Sequence, residues 1–352
     1  MEIYKIVFTG GPGGGKTTIL KQVANELREN GYNVFIVPET ARMFIENGIK
    51  PKPNDRKYTL QFQDAILKEQ IFKEQITEKF AKMENNNQKT IILYDRATID
   101  NRAYLDFQKD FEQLLQKNNV SELELINKYD LVIHLVSLAA TNKGLYVNDE
   151  ERTESPEEAL EKEKKTANAW VLHRSMKIVM PTDTIEEKKE IVMSHIEDYI
   201  NQKKEIDEYT IPISNEVCTF ISQNLNESNS KKFDTTEYIL SVGSIRCREY
   251  HLFKIEYNGN VAYLIEMYFQ NENEKDCLET KILTKEEFEK YLNDYRVYKT
   301  IKRTETIFVN NFHIHRLYQD ENNNKIIIEH NRNKESLLKF KRKKLVNNQD
   351  LW

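Results

Sequence analysis

Two kinds of hydrophobic patterning divide the chain near its middle. In the first part, short unbroken apolar runs alternate with longer stretches whose apolar residues recur every three or four positions. The runs Ile3 to Phe8, "YNVFIVPET", "TIILYDRATID", "YDLVIHLVS" and "MKIVMP" predict five buried strands. The stretches after Lys16 up to Gly31, from about Asn54 to Glu84 with "NNNQ" behind it, and from Ile185 to about Lys203 predict helices. A short helix through Tyr104 follows the third strand. A helical connection makes strands one and two parallel, with a right-handed crossover. The segment "NDEERTESPEEALEKEKKTANAW" has a Ser155-Pro156 start, acids in its first turn and alternating charge, which predicts a mobile helical lid.

From about Glu205 the period changes to two. "EYILSV", "IRCREYHLFKIEYN", "VAYLIEMYFQ", "TIFVNNFHIHRLY" and "KIIIEHN" are rich in β-branched and aromatic residues, and Asn258-Gly259 and "DENNN" supply turns. They predict antiparallel hairpins interrupted by one helix, "TKEEFEKYLNDY". The expected architecture is an α/β domain over 1–200 with a parallel sheet and flanking helices, a mainly antiparallel β domain over 204–335, and a tail over 336–352.

Composition narrows the class. A length of 352 residues suits two domains, and 39% hydrophobic with 10% aromatic residues is enough for packed cores at a mean hydropathy of -0.71. No apolar run approaches a membrane span, and the N-terminus enters the first strand without a basic leader, so a cytosolic location is expected. Cys218, Cys247 and Cys277 are odd in number and far apart, without zinc spacing, and read as reduced and structural. A formal charge of -5 argues against DNA as a partner of the whole chain. The tail differs: from Asn331 to Trp352 it carries seven Lys or Arg against two acids, interleaved with Leu337, Leu338 and Phe340. That pattern suits peripheral contact with anionic lipid, a nuclear-import or RNA-binding run, or a solvated tail with no partner.

Candidate chemistry begins at "IVFTGGPGGGKTTIL". The spacing Gly10-x-x-x-x-Gly15-Lys16-Thr17 follows an apolar strand and opens a helix, the context a P-loop requires. The backbone of Gly10, Gly11, Pro12, Gly13, Gly14 and Gly15 is expected to turn amides onto phosphate oxygens at the positive end of a helix dipole, with Thr18 in the first turn. Lys16 would neutralise the β and γ phosphates, and Thr17 would place a hydroxyl on magnesium. No Gly-x-Gly-x-x-Gly opens this helix, so the expected ligand is ATP or GTP with Mg2+ rather than a dinucleotide.

Ligands of such sheets collect at the carboxyl ends of strands. Glu39 ends strand two, and either faces the site or pairs with Arg42. Asp95 ends strand three and is the expected second magnesium ligand; Arg96 and Asp100 face a substrate or cap the next helix. Trp170 and His173 read as packing and capping residues.

The blocks "VPETAR", "YDRATIDNRAYL", "YDLVIHL" and "RTESPEEA", in this order behind the P-loop, resemble the AAA-type P-loop domain shared by the kinase half of NadR and the TRPL translocation defect protein of the fly, over residues 1 to about 200. The resemblance implies that Glu39 acts as base toward an acceptor hydroxyl, that Asp95 and Arg96 bind magnesium and phosphate, and that Arg152 covers the transferring phosphate. "IVMPTDT" lacks the Asp-Asn ending expected of the last strand, so ATP and GTP both stay open.

In the second half, alternation places Arg246 and Arg248 on one strand face and lets Lys299 and Arg303 share the same interior, with Glu266 and Glu329 also within strands. Two readings stand: a charged interior that must be paired or bind something, and an exterior face of interleaved salt bridges. "IRCR", "YLIEMYF", "YKTIKRT" and "IIIEH" resemble a CYTH-type triphosphate tunnel domain, which follows the P-loop domain in TRPL-translocation-defect-like proteins. Two positions depart from it: Tyr209 stands where the opening Glu-x-Glu-x-Lys has lysine, and Arg316 stands at a late acidic position. Lost acids weaken a metal site more than a binding tunnel.

These features support a Mg-dependent nucleotide-binding protein with a regulatory or trafficking role, whose second domain binds a phospholipid head group or polyphosphate. The alternatives are a small-molecule kinase using Glu39 as base, and a triphosphatase in the second domain.

Overall fold

The structure, a computed structural model, describes residues 3–84, 88–137, 156–201, 208–212, 230–242, 247–270, 276–310, 313–320, 324–329 and 343–344. The chain falls into two compact units, Met1–Ile196 and Glu197–Trp352.

The first unit is built on five parallel strands, β1 (Ile3–Thr9), β2 (Asn33–Val37), β3 (Thr90–Asp95), β4 (Leu131–Leu135) and β5 (Met176–Val179). Their spatial order is β2-β3-β1-β4-β5. Every residue of β3 and β4 is buried, as a parallel sheet covered on both faces demands. The helices are α1 (Lys16–Glu29), α2 (Thr40–Glu46), α3 (Arg56–Met83), α4 (Gln108–Lys117), α5 (Glu122–Ile126), α6 (Pro156–Trp170) and α7 (Ile185–Ile200), with a 3-10 helix over Thr98–Tyr104. The Asp55 carboxylate caps α3 by accepting from the Tyr58 amide at 3.0 Å.

Topology assembles the site. Strands β1 and β2 are parallel but not adjacent, because β3 inserts between them: Phe8 pairs with Asp95 and Val37 with Tyr94. The loop after β1 and the acids ending β2 and β3 therefore meet at one carboxyl edge. Beside β1 the order reverses toward β4, the switch point at which open α/β sheets bind ligands.

One expectation is corrected here. The described part of the segment read as a mobile lid, α6, is a docked helix with Ala159, Glu163, Ala167 and Trp170 each 0% exposed. Its charges alternate in sequence, yet Glu163 points inward because hydrogen-bond donors await it there. Trp170 donates its indole N–H to Asp100 at 3.2 Å and meets the Tyr129 ring edge-on at 5.6 Å. His173 Nδ1 accepts from the Ser175 amide at 3.2 Å, just past the helix end.

The second unit is one nine-stranded antiparallel sheet: β6 (Glu208–Pro212), β7 (Ser230–Ser241), β8 (Cys247–Tyr257), β9 (Asn260–Gln270), β10 (Asp276–Leu283), β11 (Arg296–Asn310), β12 (His313–Asp320), β13 (Asn324–Glu329) and the two-residue β14 (Lys343–Lys344). The spatial order is β10-β9-β8-β7-β11-β12-β13-β6-β14. The sequence run "TIFVNNFHIHRLY" spans β11 and β12, which pair antiparallel from Asn310 and His313 outward. On one face Leu240, Leu252, Ile265 and Met267 pack on Phe288 of α8 (Lys285–Asp294), whose N-terminus is closed by a capping box between Thr284 and Glu287. The opposite face carries the buried Glu237, His251 and Arg303.

Candidate functional site

The phosphate loop runs from Gly10 to Gly15 and delivers the chain into α1. Gly10 has φ 136, and a Cβ there would lie 2.2 Å from the Leu135 carbonyl oxygen, so only glycine lets the loop pass this close to β4. Gly15, the residue before α1, has φ 75 and makes no side-chain cap. The first-turn amides therefore keep their donors for an anion. Pro12 and Gly13 are half-buried, Gly14 is buried, and Thr18 is exposed on the first turn.

Lys16 is only 7% exposed, and its Nζ donates to the Gly11 carbonyl at 2.7 Å. Burial, with Arg96 adding to it, lowers its pKa to about 8 against the opposing pull of Glu39, Asp95 and Glu163. Thr17 Oγ1 donates to Asp95 Oδ2 at 2.7 Å. The other carboxylate oxygen, Asp95 Oδ1, is buried and has no hydrogen-bond partner among the described residues. Burial, then the Glu39 charge, raises the Asp95 pKa. A hydroxyl and an orphaned carboxylate oxygen are hard donors of the kind magnesium takes, so Thr17 and Asp95 fit that ion.

Glu39 lies beside them at the start of α2. It takes Arg96 as partner, Nε to Oε1 at 2.8 Å, while Arg42 Nε goes to Glu46 at 2.8 Å. Burial raises the Glu39 pKa, but Arg96 and Lys16 outweigh it and hold the carboxyl below its usual range. Arg96 is buried with φ 66, its amide donating to the Phe8 carbonyl and its Nη1 to the Gly10 carbonyl, both at 3.0 Å. This tight turn out of β3 fastens the arginine under the phosphate loop. Asp100 is a structural residue: it accepts from the Ala97 amide at 2.8 Å, from Trp170 and from the Thr9 hydroxyl.

Arg152 lies outside the described residues. Three inward-facing groups escaped the sequence reading. Lys188 of α7 donates to the carbonyls of Gly14 at 3.0 Å and Val136 at 3.1 Å, and burial lowers its pKa to about 8. His134 of β4 and Glu163 of α6 are paired beneath the loop, Nε2 to Oε1 at 2.5 Å. Lys188 and Glu163 sit in charge-rich stretches that read as solvated, and His134 in an unbroken apolar run. No local signal separates them from their neighbours.

In the second unit, Arg303 is the buried centre of the charged face. Its Nη1 reaches Glu237 Oε2 at 2.7 Å and its Nε reaches Glu305 Oε1 at 2.8 Å. Glu237 also accepts from His251 Nδ1 at 2.6 Å, and His251 Nε2 meets Glu249 at 2.7 Å. Glu266 lies directly across from His251 on the same face, and in the backbone register Glu329 pairs with Ile314. Lys299, expected beside Arg303 in the interior, is exposed: it lies four residue pairs farther toward the start of β11, next to a register shift. Arg246 lies outside the described residues, and Arg248 falls at a register shift in β8. Glu237, His251 and Glu305 were not anticipated, because a charge on an alternating strand does not reveal its partners across the sheet.

No curated protein sequence matches the chain. Solved structures similar to part of it include the PH1819 protein of Pyrococcus horikoshii OT3, at 12% identity and TM-score 0.28, covering 35% of this chain and 75% of that one. The PH1012 protein of the same organism is similar at 14% identity and TM-score 0.26, covering 35% and 76%. Among the described residues no helix is long and apolar enough to cross a membrane. The family model described as "AAA domain" matches residues 5–188, which hold the phosphate loop, Glu39, Asp95, Arg96, His134 and Glu163. With more than half of its length matched, the chain belongs to the AAA domain family.

Proposed function

We propose that this protein binds a nucleoside triphosphate, ATP or GTP, together with Mg2+ and uses it as a regulatory signal, with a role in regulation or trafficking. The observation that carries the reading is the Thr17–Asp95 contact beside Lys16, with a buried Asp95 oxygen left over. Magnesium, held by Thr17 and Asp95, would offset the charge of the phosphates. On the protein side, α1 amides and Lys16 bind the phosphates, Thr17 and Asp95 orient the ion, and Arg96 holds the Gly10 carbonyl in place. Regulation is favoured over transfer because no acceptor-binding residue beyond Glu39 can be named, and Glu39 is already ion-paired with Arg96.

The charged face of the second unit supports a CYTH-like site for a phosphate-bearing ligand, a lipid head group or a polyphosphate. Buried charge must be paired or bind something, and a ligand anion would compete there with Glu237 and Glu305 for Arg303. Arg303→Lys, which keeps the charge but loses the two-pronged geometry, is expected to weaken binding of inorganic tripolyphosphate; unchanged binding would remove this half of the proposal.

A kinase is the second reading, supported by the Glu39 carboxyl held ionised beside Arg96 and Lys16, a group able to serve as base toward an acceptor hydroxyl. Phosphorus NMR of Mg·ATP and Mg·GTP with the full chain separates the two. An intact γ-phosphate, or slow hydrolysis alone, supports a switch. Rapid transfer to added nucleosides or metabolites would replace it with a kinase.

A further inference from the structure

The Gly11 peptide is gripped from both sides. Its carbonyl accepts from Lys16 Nζ at 2.7 Å. Its amide faces the Glu163 carboxylate, and a Cβ on Gly11 would lie 2.5 Å from Glu163 Oε2 and 3.0 Å from Glu163 Cβ. Glu163 also accepts from the Ser137 amide at 2.9 Å and from His134 Nε2. Both side chains are 0% exposed, and His134 Nδ1 has no partner among the described residues. An ionised carboxylate here accepts from every group around it, so Nε2 carries the imidazole proton. Burial raises the Glu163 pKa, but His134 and the two amides outweigh it and keep the group ionised.

A buried carboxylate costs several kcal/mol unless all its lone pairs are met. This one is met by β4, by the segment after β4 and by the phosphate loop, while its backbone belongs to α6. Helix α6 cannot dock fully unless the loop presents the Gly11 amide. Conversely, an arriving triphosphate draws Lys16 from the Gly11 carbonyl and leaves that peptide held by Glu163 alone.

We propose that Glu163 is a positioning residue that couples the docking of α6 to occupancy of the phosphate loop through the Gly11 peptide, with His134 orienting its carboxylate. The coupling rests on the nucleotide-binding reading above. By reciprocity, whatever nucleotide does for α6, a docked α6 does for nucleotide affinity.

Hydrogen exchange on the full chain, with and without saturating Mg·ATP or Mg·GTP, tests it. In the wild type, nucleotide is expected to slow exchange at the start of α1 and, at least about fivefold, along α6, the low end of usual coupling. In Glu163→Gln, whose amide nitrogen cannot accept, α1 protection is expected to persist at saturation while α6 protection disappears, and nucleotide affinity falls about tenfold. Should that variant not fold, Gly11→Ala serves, because Gly11 does not have a positive φ and Glu163 is the nearest obstacle to its methyl. It too is expected to lose α6 protection. Equal α6 protection in the variant, or none in a wild type whose α1 is protected, would overturn the coupling and leave nucleotide binding intact. No protection at α1 in the wild type would overturn nucleotide binding itself.

Discussion

The two units bury positive charge in opposite ways. Under the phosphate loop, Lys16 and Lys188 are held by backbone carbonyls, and burial lowers both pKa values to about 8. In the second unit, Arg303 is clasped by two carboxylates, and Glu305 and Glu237 more than offset burial to raise its pKa. A carbonyl is a weak partner for an ammonium group, so the first arrangement leaves a cation under-neutralised where a triphosphate can complete it. The second is neutralised internally, tying strands β7, β8 and β11, so an anion there would have to displace Glu237 or Glu305 from Arg303. The same chemistry leaves an open cation in one place and one already paired, for which a ligand must compete, in the other.

The sharpest way to break this contrast is to remove one cation from each. Arg303→Ala leaves Glu237 and Glu305 buried without their partner and is expected to cost about 3–5 kcal/mol, read by calorimetry as a lowered transition of the second unit. Lys16→Ala should leave the thermal transitions nearly unmoved and instead cost nucleotide affinity about 30-fold or more, from the 2 kcal/mol or greater worth of a buried charged contact. If both variants lost mainly stability, the distinction between waiting and tied charge would fail. Asp95→Asn is expected to have a smaller effect, about tenfold in affinity, confined to titrations containing Mg2+ and absent in EDTA.

Much of this was legible and some was not, for physical reasons. The loop from Gly10 to Thr17 is local in sequence, and its backbone demands are written in consecutive residues. Glu39 and Asp95 could be placed at the rim because each ends an apolar run, and parallel sheets put such ends together. The insertion of β3 between β1 and β2 is a long-range pairing that no local pattern carries. Glu163 looked like one of several solvated charges on a lid helix, because periodicity gives a face but not which acid finds three donors. Strands β6 and β10 were missed for a similar reason: "EYTIP" and "DCLETKIL" are short or charge-rich, and only their neighbours across the sheet make them strands. Arg303 was foreseen as an interior charge, whereas Glu237 on β7 and His251 on β8, which help to neutralise it, come from distant strands.

Two pH dependences sharpen the comparison at smaller amplitude. The Lys16 pKa is lowered in the folded state, so the unfolded chain binds the extra proton between about pH 8 and 10.5, and the stability of the nucleotide-free first unit should rise with pH across that window. A bound triphosphate favours the charged lysine, so binding takes up a proton there. Nucleotide affinity should fall above pH 8, by at most about tenfold per unit for one proton, and not in Lys16→Ala. The His251 pKa is raised instead: burial opposes protonation, but Glu237 and Glu249 beside it and Glu266 across the sheet outweigh burial. Its contribution is present below about pH 6.5 and is lost as pH rises through the raised value, so the second unit should weaken over the range just above pH 6.5.

The most direct test of the central claim is isothermal titration of Mg·ATP and Mg·GTP into the full chain and into Lys16→Ala, in parallel. The expected result is saturable binding of at least one nucleotide by the wild type, strengthened by Mg2+ and lost or weakened about 30-fold or more in the variant. Binding of equal strength in both proteins, or no binding by the wild type, would contradict it.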